Sequence, residues 1–208
     1  MKTNFLKLTL IALVLFTASC SNDDDKTPEA VAATATNIPA PQTGGQAGAA
    51  SGAYTKFSFS ENKVVTTDKW DIAFRGTSII VNGGAKVVTT DADEPARTGQ
   101  GAVSIVSGTF SSVITFPEAT TFKQDANGAY AFPTSGDNRW YDYNSTSHLI
   151  SAKAGKVYVV KTHDGKYAKF EIISYYKNAP VTPDPLKTED TRFYTFNFVY
   201  QANSTTTF

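Results

Sequence analysis

From residue 52 onward the chain alternates apolar and polar side chains with a period of two, the signature of strands buried on one face. In the stretch from Trp70, Trp70, Ile72 and Phe74 alternate with Asp71, Ala73 and Arg75. Gly76 interrupts the pattern, Ile79-Ile80-Val81 resumes it, and Asn82-Gly83-Gly84 ends it with residues that accept positive φ. Two strands meeting at a tight corner are predicted, with a third over Lys86–Thr90 returning across the Asn-Gly-Gly turn. The indole N–H of a buried Trp70 calls for an acceptor.

Further strands are expected over Tyr54–Phe59, Lys63–Thr66 and Ala102–Val106. A hairpin is expected over Gly155–Tyr176, with Asp164-Gly165 as a two-residue turn. Asn127-Gly128 marks another turn. The final run Arg192–Tyr200 places Tyr194, Phe196, Phe198 and Tyr200 on one face. Asp91–Gly101 reads as a long polar loop of the kind that often carries function, and Asn178–Asp190, with three prolines, reads as another. The one helical element expected is a single turn within Thr109–Ile114. Strand follows strand without intervening helices, so the fold class is all-β, mainly antiparallel, in one domain over 52–208.

The chain before residue 52 has a different character. Lys2 and Lys7 flank the start of the apolar run Leu6–Phe16, which is too short to span a bilayer and has the proportions of a signal peptide core. Thr17-Ala18-Ser19 then leads into Cys20, the only cysteine. This is a lipobox: residues 1–19 form a lipoprotein signal peptide, and Cys20 is the lipidation site. Acyl chains there would anchor the protein to a membrane rather than thread it through one. Ser21-Asn22-Asp23-Asp24-Asp25 follows as an acidic tether, and Lys26–Ser51, rich in Ala, Thr, Pro and Gly, reads as a flexible linker.

Lysine plus arginine equals aspartate plus glutamate, 19 each, so the formal charge is zero. Loss of Lys2 and Lys7 with the signal peptide leaves the mature form slightly acidic. Neither nucleic acid nor an anionic bilayer is indicated as a binding partner. No Gly-x-Ser-x-Gly, phosphate-binding glycine loop or His-Glu-x-x-His is present, so the chain reads as a binding protein and not an enzyme. Two histidines and a single, lipidated cysteine fall short of a zinc site.

The run Trp70–Gly84, then Trp140-Tyr141-Asp142-Tyr143-Asn144, His148-Leu149-Ile150, Gly155–Thr162, Asp164–Ile172 and Ser174-Tyr175-Tyr176 together resemble the HmuY-like lipoproteins of Bacteroidetes. The resemblance covers most of the region from Ala53 to Tyr200. It implies haem as ligand, an outer-membrane location facing outward, for which the acidic run after Cys20 resembles the export signal, and hand-over to a TonB-dependent receptor. In that family the iron is held by a His pair in some members and by Met in others. Here Met1 is the only methionine, and Arg97–Val103, where a first His-bearing segment belongs, holds neither His nor Met. His148 lies near the second segment, although the matching offset from Trp140 falls closer to Ser145.

Haem iron takes one or two axial donors from His, Met, Cys or Tyr. His148, Tyr143, Tyr141 and His163 are therefore the candidate haem-binding residues, with no metal expected beyond the haem iron. His163, beside the Asp164-Gly165 turn, reads foremost as a solvated turn residue. His148 and His163 can share one iron only if residues 149–154 run back along the following strand. Three readings stand at this point: a haem-capture protein with a His148- or Tyr-based site; a relative that binds a siderophore or other iron-bearing ligand; and a glycan-binding or adhesion module, or a structural accessory to an outer-membrane transporter.

Overall fold

The computed structural model describes residues 28–208, apart from 46, 47 and 204. The signal peptide, Cys20 and the acidic run after it lie outside the described residues. The strands are β1 (Val31–Pro39), β2 (Thr55–Ser58), β3 (Lys63–Val64), β4 (Ile72–Arg75), β5 (Ser78–Val81), β6 (Ala102–Ser107), β7 (Tyr141–Tyr143), β8 (Ile150–Ala152), β9 (Lys156–Lys161), β10 (Tyr167–Tyr176) and β11 (Thr191–Gln201). Their order is β1-β11-β10-β9-β6 in a five-stranded sheet, β3-β2-β4-β5 in a four-stranded sheet and β7-β8 in a small hairpin. Every pair of these strands is antiparallel. Among the described residues no helix is long and apolar enough to cross a membrane.

The two large sheets meet through aromatic rings. Tyr194, Phe196 and Phe198 on β11 are buried, as the alternation predicts. The Phe196 ring lies 5.1 Å from Phe57 on β2, 5.8 Å from Phe74 on β4 and 5.5 Å from Phe170 on β10. Edge-to-face and tilted contacts at such distances add to the gain from removing ring area from water.

Several expectations change. The linker read over 26–51 contains β1, an edge strand paired with β11 from Val31↔Tyr200 to Pro39↔Phe193. Its small side chains suit this place: the backbone supplies the ladder, and only Ala35 and Ile38 need to be buried. Trp70 does not share the face of Ile72 and Phe74. It packs with Tyr54, Val65, Ala73 and Ile80 in a second cluster, because β4 begins only at Ile72 and is covered on both faces. Its indole N–H has no hydrogen-bond partner among the described residues.

Lys86–Thr90 does not return as a strand. Asn82 is instead a buried hub, donating to the Asp68 and Trp70 carbonyls and accepting from the Thr98 and Gly99 N–H groups. A Cβ on Gly83 would stand 2.0 Å from the Gly101 carbonyl oxygen, so only glycine allows this approach. The β9–β10 turn is longer than two residues: Thr162 pairs with Lys166, leaving His163-Asp164-Gly165 as the loop, with Gly165 at φ +85°. Thr109–Ile114 makes a hydrogen-bonded turn without a helix, and the 3-10 turns fall at Ala119–Thr121 and Thr188–Asp190.

The Asp91–Gly101 loop is stapled into the interior. Arg97 pairs with Glu94 at 2.7 Å and with Asp125 at 2.9 Å, all three side chains at most 1% exposed. Glu94 also accepts from the Val87 and Val88 N–H groups, and Asp125 from those of Val81 and Ala131. Burial pushes the Asp125 carboxyl up to about 6, against the opposing pull of the Ala131 N–H and Arg97.

Candidate functional site

The β4–β5 corner holds the site from below. Gly76 takes φ +52° in the turn, and the carbonyls of this corner face inward. Gly76 O accepts from the Tyr194 phenol at 2.9 Å, and Thr77 O from the Trp140 indole at 2.8 Å. Trp140 is buried against Tyr141, Tyr175 and Tyr194, with ring centroids 4.8, 5.6 and 5.1 Å away. This aromatic layer fixes where the β7–β8 hairpin leaves the core. The Tyr176 phenol accepts the Ile150 N–H at 3.0 Å and pins the other end of the loop.

That loop, 144–149, is ordered by its own polar side chains. Asn144 Oδ1 accepts from the Thr146 and Ser147 N–H groups, and the Asn144 N–H donates to Leu149 O. His148 closes the loop in a left-handed conformation, φ +59°. Its Nδ1 lies 2.6 Å from the Tyr143 hydroxyl. This pair lines a cleft of about 670 Å³, within the range of small-molecule sites. Gly76 and Thr77, Ile150, Tyr175 and Tyr176, and Pro185, Thr188, Thr191 and Arg192 also line it.

The structure thus brings two of the four candidate residues together. Tyr141 sits one layer deeper, its ring between Trp140 and the Arg139 guanidinium, and does not line the cleft. Burial pushes the Tyr175 phenol well above its usual range, opposed by the nearby charge of Arg192 and reinforced by Tyr141. His163 is remote. Strand β10 runs from Tyr167, beside the His163 turn, to Tyr176 at the cleft, about 30 Å at 3.3 Å per residue. His148 and His163 therefore cannot share one iron, and residues 149–154 do not supply the required return path.

His163 has a different partner. Its Nδ1 lies 2.8 Å from Asp71 Oδ1, and its backbone N–H donates to the same oxygen. That hydrogen bond to Asp71 raises the His163 pKa, against the lowering effect of partial burial. Asp71 Oδ2 also accepts from the Phe59 N–H, so His163 belongs to a clasp between the two sheets. Among the described residues no group of three or more His, Cys, Asp or Glu is placed to hold a metal ion.

Arg192, Tyr175 and Tyr176 are cleft residues that sequence reasoning passed over. In the sequence they are strand ends beside aromatic runs, and no local signal separates them from ordinary sheet positions.

Comparison with known proteins places this architecture. The chain matches the model of the family described as HmuY protein over residues 51–197. Among solved structures it is similar to an apo HmuY analogue from Tannerella forsythia, with TM-score 0.50, 14% identity, and coverage of 86% of this chain and 100% of that one. It is also similar to a Bacteroides vulgatus protein described as HmuY-like and haem-binding, with TM-score 0.45, 15% identity, and coverage of 83% and 92%. A Bacteroides fragilis protein described as a lipoprotein gives TM-score 0.44, 12% identity, and coverage of 72% and 83%. No curated protein matches at a significant level. At 14% identity the likeness to the Tannerella forsythia structure speaks for the fold, while the family model covers well over half of the chain. The two-sheet architecture and the matched residues lead to one assignment: the chain belongs to the HmuY family.

Proposed function

We propose that this protein captures haem in the cleft beside the β7–β8 loop, with the Tyr143–His148 pair supplying the axial donor to iron. The observation that carries this reading is the 2.6 Å contact between the two side chains on the wall of that cleft. Imidazole and phenol are both donor types for haem iron, and here they meet beside the aromatic side chains of Tyr175 and Tyr176 in a cleft that is otherwise largely polar.

The pair offers iron a donor in either of two proton arrangements. With the proton on His148 Nδ1, donated to the Tyr143 oxygen, the Nε2 lone pair is free to bind iron. With the phenolic proton passed to Nδ1, Tyr143 becomes a phenolate, a suitable ligand for ferric haem. In both arrangements the partner orients the donor, and in the second the protonated imidazole balances the charge of the phenolate. Resemblance and sequence support the rest of the proposal: lipid on Cys20, an outer-membrane location facing outward, and transfer of the cargo to a TonB-dependent receptor. Binding is the proposed role, with no catalytic step.

The test is a haemin titration of the protein followed by visible absorption in both oxidation states. A sharpened, saturating Soret band at fixed stoichiometry is expected. Its loss in His148→Ala with retention in Tyr143→Phe names the imidazole as the donor, and the reverse pattern names the phenolate. No saturable change in the wild type would overturn the haem reading and leave the fold standing. Ferric chelates quenching tryptophan fluorescence would then point to a siderophore, and retention on polysaccharide to a glycan.

A further inference from the structure

We propose that Arg192 is the carboxylate anchor of the cleft, so that the preferred cargo is an iron porphyrin with ionised acid side chains and not its neutral ester. This rests on the haem reading above and extends it from the iron to the rim of the ligand.

The register of β10 and β11 puts Arg192 in the cleft. Tyr176 pairs with Thr191 and Ser174 with Thr195, so Arg192, Phe193 and Tyr194 together stand opposite Tyr175 alone. A bulge of this kind re-aims side chains near sites. Arg192 occupies it in the left-handed region, φ +67°, where an arginine is uncommon. His148, which lines the same cleft, is held in the same region at φ +59°. Two left-handed residues other than glycine lining one cleft fit the clustering of backbone outliers at binding sites.

The charge balance supplies the second argument. Among the described residues lining the cleft, Arg192 carries the one permanent charge, and no Asp or Glu is present. No carboxylate of the described residues forms an ion pair with its guanidinium. One arm, Nη1, donates to the Gln42 carbonyl at 2.6 Å and fixes the group in place. The planar guanidinium has further N–H donors, which match a carboxylate in a two-pronged contact. Thr188 and Thr191 line the same cleft, although the Thr191 hydroxyl is already committed to the Thr188 carbonyl. The cleft thus holds both the proposed iron donor and an oriented cation without a carboxylate partner among the described residues.

The experiment titrates the wild-type protein and Arg192→Gly with haemin and with haemin dimethyl ester. Glycine accepts φ +67° without strain, so this variant removes the guanidinium and keeps the bulge. Esterification is expected to weaken wild-type binding about ten- to a hundred-fold, the worth of a charge-assisted hydrogen bond. Arg192→Gly should lose haemin affinity by a similar factor and bind both ligands alike. Equal wild-type affinity for haemin and its ester would overturn the anchor and leave the haem reading intact, and continued discrimination by the variant would do the same. Failure of the wild type to bind either ligand would overturn both. Arg192→Gln repeats the comparison if the glycine variant does not fold, and the wild-type arm needs no variant.

Discussion

His163 illustrates how a residue with the right chemistry can be committed elsewhere. Its imidazole and backbone N–H both meet Asp71, and the pair ties the β9–β10 turn to the chain entering β4. Since the folded pKa is raised, the protonated pair contributes stability that is complete below the unfolded value of 6.5 and lost as pH rises through the folded value. Wild type should therefore exceed His163→Gln in urea midpoint at about pH 5.5, and the gap should narrow by about pH 9. A gap that widens with pH would contradict the assigned pair. Arg97 gives a second prediction. It faces two buried carboxylates, so Arg97→Ala should cost about 3–5 kcal/mol in urea unfolding by leaving them unpaired. Asp125→Asn in the same chain should recover part of that loss, because it removes one of the stranded charges.

At the scale of elements, β1 is the most informative departure. Its sequence, Val-Ala-Ala-Thr-Ala-Thr-Asn-Ile-Pro, has too few large side chains to announce a strand, and its neighbours are rich in Gly and Pro. It forms because β11 offers an unpaired edge, and an edge strand needs backbone groups more than side chains. The bulge at Asn37, φ +56°, is locked by reciprocal bonds with Asn178 of 2.9 and 2.6 Å. A chain beginning at Ala40 should lose at least about 2 kcal/mol from Ile38 burial alone. It should also associate through the bared β11 edge, which light scattering would detect. Unchanged stability and a monodisperse solution would mean that β1 is dispensable. The β7–β8 loop depends likewise on distant support, since Trp140 reaches Thr77 and Ile150 reaches Tyr176.

At the scale of the whole molecule, Phe196 joins strands of both large sheets. Phe196→Ala should cost about 3–5 kcal/mol, as for other buried aromatic truncations. Because one core serves both sheets, the loss should appear as a lower midpoint of a single transition and not as a separate early one. A biphasic melt would show that the sheets unfold independently. The cleft lies where this shared core ends, between the β4–β5 corner, the last turn of β10 and the start of β11. No single stretch of chain owns it.

That division separates what was legible in the residues from what was not. Period-two patterning and turn residues determined the all-β class, the β4–β5 corner, the β9–β10 hairpin and the aromatic face of β11, since these depend on neighbours a few positions apart. Donor chemistry limited the candidate iron donors to His148, His163, Tyr141 and Tyr143 without saying which of them meet. Only the tertiary structure decided that His148 and Tyr143 face one cleft, that His163 is spent on Asp71, and that the β10–β11 bulge sets the exposed Arg192 on the lining of that same cleft. Alternation along a strand is a local property, whereas register, bulges and the pairing of distant edges arise from the packing of both sheets around one core.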